Sequence, residues 1–219
     1  MVERACQHPA RSRIGVFGGT FDPIHIGHLI VAEEARIQLR LCEVVFMVAG
    51  QPWLKAGQRI TDPRHRMAMV ELAVESNPYF TASNAEIVRP GPTYTVETLV
   101  EMRAQLGADT GIYMILGLDS LKELDRWRQP EHILAMATVV GVSRPGTQAF
   151  DPASLNAIAH SSSENVVLLD GPGIDVSGEE VRRRLRNGVS VKYQLPESVE
   201  SYIYEHGLYG TGKMREGSE

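Results

Sequence analysis

The fold is decided by the stretch GGTFDPIHIGH, residues 18–28. Residues 14–17 precede it as an apolar run typical of a buried parallel strand, and residues 29–36 predict a helix. The two glycines and Thr20 therefore lie at a strand-to-helix turn. There, backbone N–H groups can approach an anion closely, and the helix N-terminus adds partial positive charge. We interpret this turn as a phosphate-binding site.

Two histidines, His25 and His28, stand three residues apart at the predicted helix entry. A glycine pair alone is equally typical of a tight connection, and a single histidine is usually a surface or satisfied core residue. Two histidines in register at the carboxyl edge of a parallel sheet are harder to explain in that way. We predict that both imidazoles face the bound phosphate.

The composition limits the classes of protein to which this chain can belong. The 219 residues, 43% hydrophobic and 22% charged, suit one soluble α/β domain. The net charge of −5 creates no basic field for nucleic acid, and no stretch predicts a signal peptide or a membrane span. Cys6 and Cys42 form no metal-ligand pair, and we expect free thiols. We expect a flexible arm over residues 1–12, one domain over 13–209 and a flexible tail over 210–219.

Strands and helices alternate along the chain, which predicts a doubly wound α/β fold around a mostly parallel sheet. Strands are predicted over residues 14–17, 43–49, 79–82, 85–88, 112–116, 137–142 and 166–169. Helices are predicted over residues 29–36, from Pro63, over 96–106, from Gly117, over 131–136, over 177–186 and over 196–206. Ligands bind outside the carboxyl ends of such strands. This rule gathers the turn at 18–28 with the segments 52–55, 117–119 and 143–146 and with the helix start at Ser177.

Three motifs carry a resemblance to a known family. GGTFDPIHIGH matches every fixed position of the nucleotidyltransferase signature GGTFDPxHxGH. Residues 93–99 (TYTVETL) and 117–121 (GLDSL), the latter running on to Trp127, extend the likeness to the bacterial nicotinate-nucleotide adenylyltransferases over about residues 13–209. The resemblance implies a Rossmann-like nucleotidyltransferase fold. It also implies adenylyl transfer from ATP to nicotinate mononucleotide, which yields deamido-NAD and pyrophosphate.

The resemblance also suggests roles for residues on the acceptor side. The TYT segment, through Thr93 and Tyr94, would offer backbone donors to the pyridine carboxylate, and Trp127 would stack on the pyridine ring. A planar aromatic anion calls for N–H donors and a π-face. Without the resemblance, Trp127 is better explained as a half-buried packing residue.

On the ATP side, the attacking phosphate is already largely ionised, so no general base is required. We expect catalysis by positioning and charge stabilisation, with His25, His28 and Arg182 on the phosphates. The ATP site is predicted to comprise Gly18, Gly19, Thr20, Phe21, Gly27, Lys55, Gly117, Asp119 and Ser177. Asp119 is assigned to a ribose hydroxyl, with a helix cap as the alternative, and Lys55 to a phosphate, with a solvated loop lysine as the alternative. Mg²⁺ would be bound mainly to the triphosphate, without a protein-held metal site.

Two segments depart from the family pattern. Where the family often has PPHK, this chain has QPWLK at residues 51–55. Where the family has ISSTxIR, it has VSGEEVR at residues 176–182, and Glu179 brings a negative charge towards the expected triphosphate. We expect this charge either to weaken the anion site or to point away from it.

Two other functions remain open from the sequence. One is an adenylyltransferase acting on nicotinamide mononucleotide or on another phosphomonoester such as phosphopantetheine. The other is a non-catalytic nucleotide sensor on the same fold, which the altered late motif favours and the intact histidine pair disfavours. We expect a cytoplasmic protein without nucleic-acid or membrane partners, and the sequence leaves open whether it forms a homo-oligomer.

Overall fold

The structure is a computed structural model that describes residues 12–53, 57–143, 150–158, 162–171 and 173–214. These residues form one parallel sheet whose strands are β1 (Arg13–Gly19), β2 (Glu43–Val48), β3 (Phe80–Ser83), β4 (Gly111–Gly117), β5 (Thr138–Val142) and β6 (Val166–Leu169). The α-helices are α1 (Ile26–Leu39), α2 (Pro63–Val74), α3 (Ala85–Val88), α4 (Thr95–Leu106), α5 (Leu118–Lys122), α6 (Pro130–Met136), α7 (Gly178–Arg186) and α8 (Glu197–Glu205). Short 3-10 segments lie at Leu124–Arg126, Pro152–Ala157, Ser162–Asn165 and Leu208–Met214.

The sheet has the order β3-β2-β1-β4-β5-β6, and each neighbouring pair is parallel. The chain runs outward from β1 to β3 and then crosses to β4, so the direction of winding reverses between β1 and β4. The predicted doubly wound parallel sheet is confirmed. The reversal opens a crevice at the carboxyl ends of these two strands, where ligands of such sheets bind.

Both faces of the sheet are covered by helices, which explains the continuous apolar character of the strands. Consecutive β1 residues show the alternation, since Phe17 packs into one core and Val16 into the other. Helices α1, α2, α7 and α8 supply buried residues to the first core. Helices α4, α5 and α6 cover the opposite face.

The predicted strand over residues 85–88 is wrong, because these residues form the single helical turn α3. The backbone N–H of Ile87 donates to the carbonyl of Asn84 at 2.8 Å, and Ser83 accepts from the N–H of Ala85 at 3.3 Å. Four residues are too few for the period of their apolar positions to separate a strand from one helical turn. The turn directs Glu86 inward, where it is 9% exposed.

The structure bears on one of the two chain-end expectations and on one of the two cysteines. Residues 1–11 lie outside the described part of the chain. At the other end, Thr211 is 3% exposed and its hydroxyl donates to the carbonyls of Leu208 and Ile203. Cys42 is disulfide-bonded, so the expected free thiol is wrong there. No helix in the described ranges combines the length and the apolar character needed to cross a bilayer.

Candidate active site

A cavity of about 390 Å³ opens at the carboxyl ends of β1 and β4. The predicted site residues that line it are Gly18, Gly19, Thr20, Phe21, His28, Thr93, Gly117, Asp119 and Trp127. Segments far apart in the sequence therefore meet at the crevice, as the sheet topology requires. His25, Gly27, Tyr94, Ser177 and Arg182 are not among its lining residues, and Lys55 lies outside the described residues.

The two histidines stack on each other at the start of α1. Their ring centroids are 3.6 Å apart with 24° between the planes, and His25 is 2% exposed, whereas His28 lines the cavity. The backbone N–H of His25 donates to Nδ1 of His28 at 3.2 Å. Because Nδ1 accepts this bond, the proton of the neutral His28 ring resides on Nε2. Of the two rings predicted to face the phosphate, that of His28 belongs to a cavity-lining residue, whereas His25 is buried against it and is not a lining residue.

Glycines allow the rings of this turn to pack closely. A Cβ at Gly27 would lie 3.1 Å from Nδ1 of His25, and one at Gly19 would lie 2.8 Å from the Phe21 ring. Gly18, in contrast, is exposed at the cavity, and a Cβ at this position would have no other atom within 4 Å. The turn thus presents open backbone at Gly18, while Gly27 serves the histidine ring.

Asp22, next to the cavity, is clamped by three distant segments. Its Oδ1 accepts from the hydroxyl of Tyr209 at 2.6 Å and its Oδ2 from the backbone N–H of Thr61 at 3.3 Å. Its carbonyl accepts from Nη1 of Arg182 at 2.5 Å. Burial, together with the neighbouring Asp22 carboxylate, raises the pKa of Tyr209. Arg182, predicted to bind phosphate, is thus tied to the backbone of the phosphate turn.

Arg66, which was not predicted as a site residue, holds the backbone of this turn in place. It is 1% exposed and donates to the carbonyls of Thr20 (2.8 Å), Ala49 (2.7 Å), Gly50 (3.1 Å) and Thr61 (2.9 Å). Burial lowers its pKa. The signal was present in the sequence: residues 66, 69, 70 and 73 form the buried stripe of α2, so an arginine occupies a core position.

Thr93 and Thr95 of the TYT segment also line the cavity, together with two tryptophans, Trp53 and Trp127. Oγ1 of Thr93 accepts from the backbone N–H of Gln51 at 2.9 Å, and the backbone N–H of Thr93 donates to the Gln51 carbonyl at 3.0 Å. Tyr94 is the N-cap residue of α4, whose first residue Thr95 lines the cavity. Trp127 also lines it, and its buried Nε1 has no hydrogen-bond partner within the described ranges. An acceptor brought by a ligand or by water would satisfy that donor.

A buried carboxylate, Glu86, also lines the cavity and was not anticipated. It accepts from the hydroxyl of Thr98 at 2.6 Å, and Nη1 of Arg89 donates to the same Thr98 oxygen at 3.2 Å. Burial raises the pKa of Glu86. The short spacing between residues 86, 89 and 98 gave no indication of this network, because α3 was predicted as a strand.

The altered late motif packs against the phosphate turn. The Ser177 hydroxyl caps α7 by accepting from the Glu180 N–H at 3.2 Å, while the Glu180 carboxylate pairs with Arg183 at 2.7 Å. A Cβ at Gly178 would lie 3.2 Å from the Asp22 carbonyl. Glu179 is exposed and is not a lining residue. Glycine at position 178, where the family pattern has serine, therefore allows α7 to approach the turn closely.

The cavity offers little that could bind a metal directly. Within the described ranges, no three histidine, cysteine, aspartate or glutamate side chains come together as metal ligands would. Asp119 is the carboxylate on the β4 side of the cavity, in the first turn of α5.

Comparison with known proteins gives the class of this site. Residues 16–184 match the family described as cytidylyltransferase-like, and the chain belongs to that family. A probable nicotinate-nucleotide adenylyltransferase of Roseiflexus sp. (strain RS-1) is 46% identical over 199 residues, spanning 90% of this chain and 97% of the relative. One from Dehalococcoides mccartyi (strain 195) is 43% identical over 90% and 97% of the two chains. Within the family, the chain therefore belongs to the nicotinate-nucleotide adenylyltransferases.

A solved structure supports the fold independently. The Plasmodium falciparum nicotinic acid mononucleotide adenylyltransferase complexed with NaAD superposes with a TM-score of 0.72 at 18% identity, covering 91% of this chain and 98% of that one. The same enzyme complexed with APC gives a TM-score of 0.69. The Rossmann-like nucleotidyltransferase fold implied by the motifs is confirmed.

Proposed function

We infer that this protein transfers the adenylyl group of ATP to nicotinate mononucleotide, which yields deamido-NAD and pyrophosphate. The observation that carries this function is the joining of two chemistries in one cavity. The phosphate turn with His28 and the start of α4 with Trp127 line the same cavity. A cavity built only to sense ATP would not need an aromatic subsite next to its phosphate turn.

The reaction needs charge stabilisation more than proton transfer. A phosphate oxygen of the acceptor forms a bond to the α-phosphorus of ATP, the bond from that phosphorus to the α,β-bridging oxygen breaks, and pyrophosphate leaves with the electron pair. We propose that Nε2–H of His28 donates to the α-phosphate, where charge accumulates. His25 stacks behind His28 and fixes its orientation.

The remaining phosphate contacts are proposed from the same cavity. The open backbone at Gly18 and Gly19 would receive phosphate oxygens, and Asp119 would accept from a ribose hydroxyl. Arg182 positions the turn through the Asp22 carbonyl, and its positive charge would contribute to the potential at the phosphates. Roles for Ser177 and Lys55 at the outer phosphates remain predictions from the family resemblance.

The acceptor carboxylate matches the start of α4. This helix has twelve residues, and the first N–H groups of a helix lack internal partners. These donors and the helix dipole favour an anion next to Thr95. Trp127 offers the ring a π-face.

Mg²⁺ is proposed to enter with ATP, held by the phosphates and neutralising the leaving pyrophosphate. We retain the prediction of a cytoplasmic enzyme whose partners are ATP and nicotinate mononucleotide, and a homo-oligomer remains open.

The test is pyrophosphate release from ATP with Mg²⁺, comparing nicotinate mononucleotide with nicotinamide mononucleotide. We expect at least a tenfold higher kcat/KM for the acid, because helix N–H donors favour a carboxylate over an amide. Equal use of both acceptors would retain adenylyl transfer and reject the carboxylate site. No turnover with either, despite ATP binding, would support the nucleotide sensor.

A further inference from the structure

The second tryptophan of the chain, Trp53, also lines the cavity, in a segment that departs from the family pattern. We propose that Trp53 forms a second aromatic wall of the acceptor subsite, opposite Trp127, and determines affinity for the pyridine ring of the acceptor. This inference rests on the proposed function.

Backbone pairing places Trp53 next to the TYT segment. Gln51 exchanges two hydrogen bonds with Thr93, one to its side chain and one from its backbone, and Pro52 forms a parallel bridge with Thr93. Trp53 is the next residue along. Its position is therefore coupled to the TYT segment.

The Trp53 ring lies next to the ring of Tyr94 in a tilted arrangement. Its centroid lies 6.2 Å from that of Tyr94, with 36° between the planes. The Arg128 guanidinium lies 4.6 Å from the Tyr94 ring centroid, and Arg128 is bonded to Glu97 at 3.0 Å. Cation–π contact and the ion pair together hold Tyr94 in place. Tyr94 does not line the cavity itself. It thus acts as a positioning residue for the Trp53 ring.

The chemistry of the ligand follows from the two tryptophan faces. An electron-poor planar ring is favoured between electron-rich indoles, and stacking of this kind is worth about a tenfold change in affinity per aromatic wall. Trp127, whose buried Nε1 has no hydrogen-bond partner among the described residues, lines the same cavity. A ribose phosphate without an aromatic ring would gain nothing from either wall.

The first experiment is steady-state kinetics of Trp53→Ala with nicotinate mononucleotide and ATP. We expect KM for nicotinate mononucleotide to rise about tenfold, with KM for ATP within twofold of wild type. Trp53→Phe should restore most of the affinity. The matched control is Tyr193→Ala, which removes an aromatic ring that is 81% exposed. An unchanged acceptor KM, or an equal rise for both substrates, would overturn the proposal.

Fluorescence tests the same wall without relying on an alanine variant. The chain has two tryptophans, so Trp127→Phe leaves Trp53 as the reporter and Trp53→Phe leaves Trp127. Nicotinate mononucleotide alone should quench the emission of both variants with saturation. An unquenched Trp53 at concentrations that saturate turnover of the same variant would overturn the second wall. Failure of the wild-type protein to release pyrophosphate would instead reject the proposed function, so the two failures are distinguishable.

Discussion

The hydroxyl of Tyr209 provides the sharpest test of how the phosphate turn is held. Tyr209 follows α8 and donates to Asp22 at 2.6 Å, across 187 residues of sequence. Tyr209→Phe removes this bond and keeps the ring. A buried hydrogen bond to a charged acceptor contributes about 1.5–3 kcal/mol, so we expect a loss of about 2 kcal/mol in the free energy of unfolding. For a chain of this length, that lowers Tm by about 5 °C.

The same change should lower activity beyond its effect on stability. Asp22 follows Thr20 and Phe21, which line the cavity, and a shift of about 1 Å in a positioned group can cost up to about a hundredfold in rate. We expect kcat to fall about tenfold, with KM for both substrates within threefold, because the turn acts on the transition state.

The assay combines thermal unfolding with pyrophosphate release at a temperature where wild type and variant are both fully folded. Tyr193→Phe is the control for losing a hydroxyl from an 81% exposed side chain. A variant that unfolds at a lower temperature yet keeps wild-type kcat would refute the positioning role. A variant unchanged in both would refute the bond to Asp22 itself.

Three further predictions concern the same region. His28→Ala should lower kcat about a hundredfold while changing KM for ATP by less than threefold, and equal losses in both would show that His28 only binds substrate. Gly50→Ala should lower the free energy of unfolding, measured by urea denaturation, by about 2–3 kcal/mol, because its Cβ would lie 2.3 Å from the Glu86 carbonyl. Gly18→Ala is the control, since a Cβ at Gly18 would have no atom within 4 Å. Burial raises the pKa of Glu86 above its ordinary 4.5, so its contribution to stability is complete below pH 4.5 and is lost as pH rises through the raised value. The stability of wild type relative to Glu86→Gln should therefore fall with rising pH, and a constant difference would contradict the burial argument.

The sheet and the location of the site could be predicted from the sequence because both depend on local patterns. Apolar runs of four to seven residues separated by helical periodicity define parallel strands, and ligands follow at their carboxyl ends. The turn at residues 18–28 lines one cavity with Gly117 and Asp119 for this reason, whereas the start of α4 was assigned to the site from the family resemblance. Only α3 was predicted as the wrong element, since a four-residue segment shows no usable period.

The supports of the site could not be predicted in the same way, because each depends on a partner far away in the chain. Arg66 reaches the carbonyls of Thr20 and Ala49, 46 and 17 residues away. Tyr209 and Arg182 reach Asp22 from the last part of the fold. No spacing rule connects such pairs, although an arginine on the buried stripe of α2 was a detectable anomaly.

Thr93 shows why matching a motif does not assign an atom its function. The sequence places it in the acceptor site, and it does line the cavity, yet its side chain and backbone N–H both bond to Gln51. Thr93 therefore fixes the segment that carries Trp53. Under the proposed function, the donors for the acceptor carboxylate are the first N–H groups of α4, and the side chains of the TYT segment support the second aromatic wall.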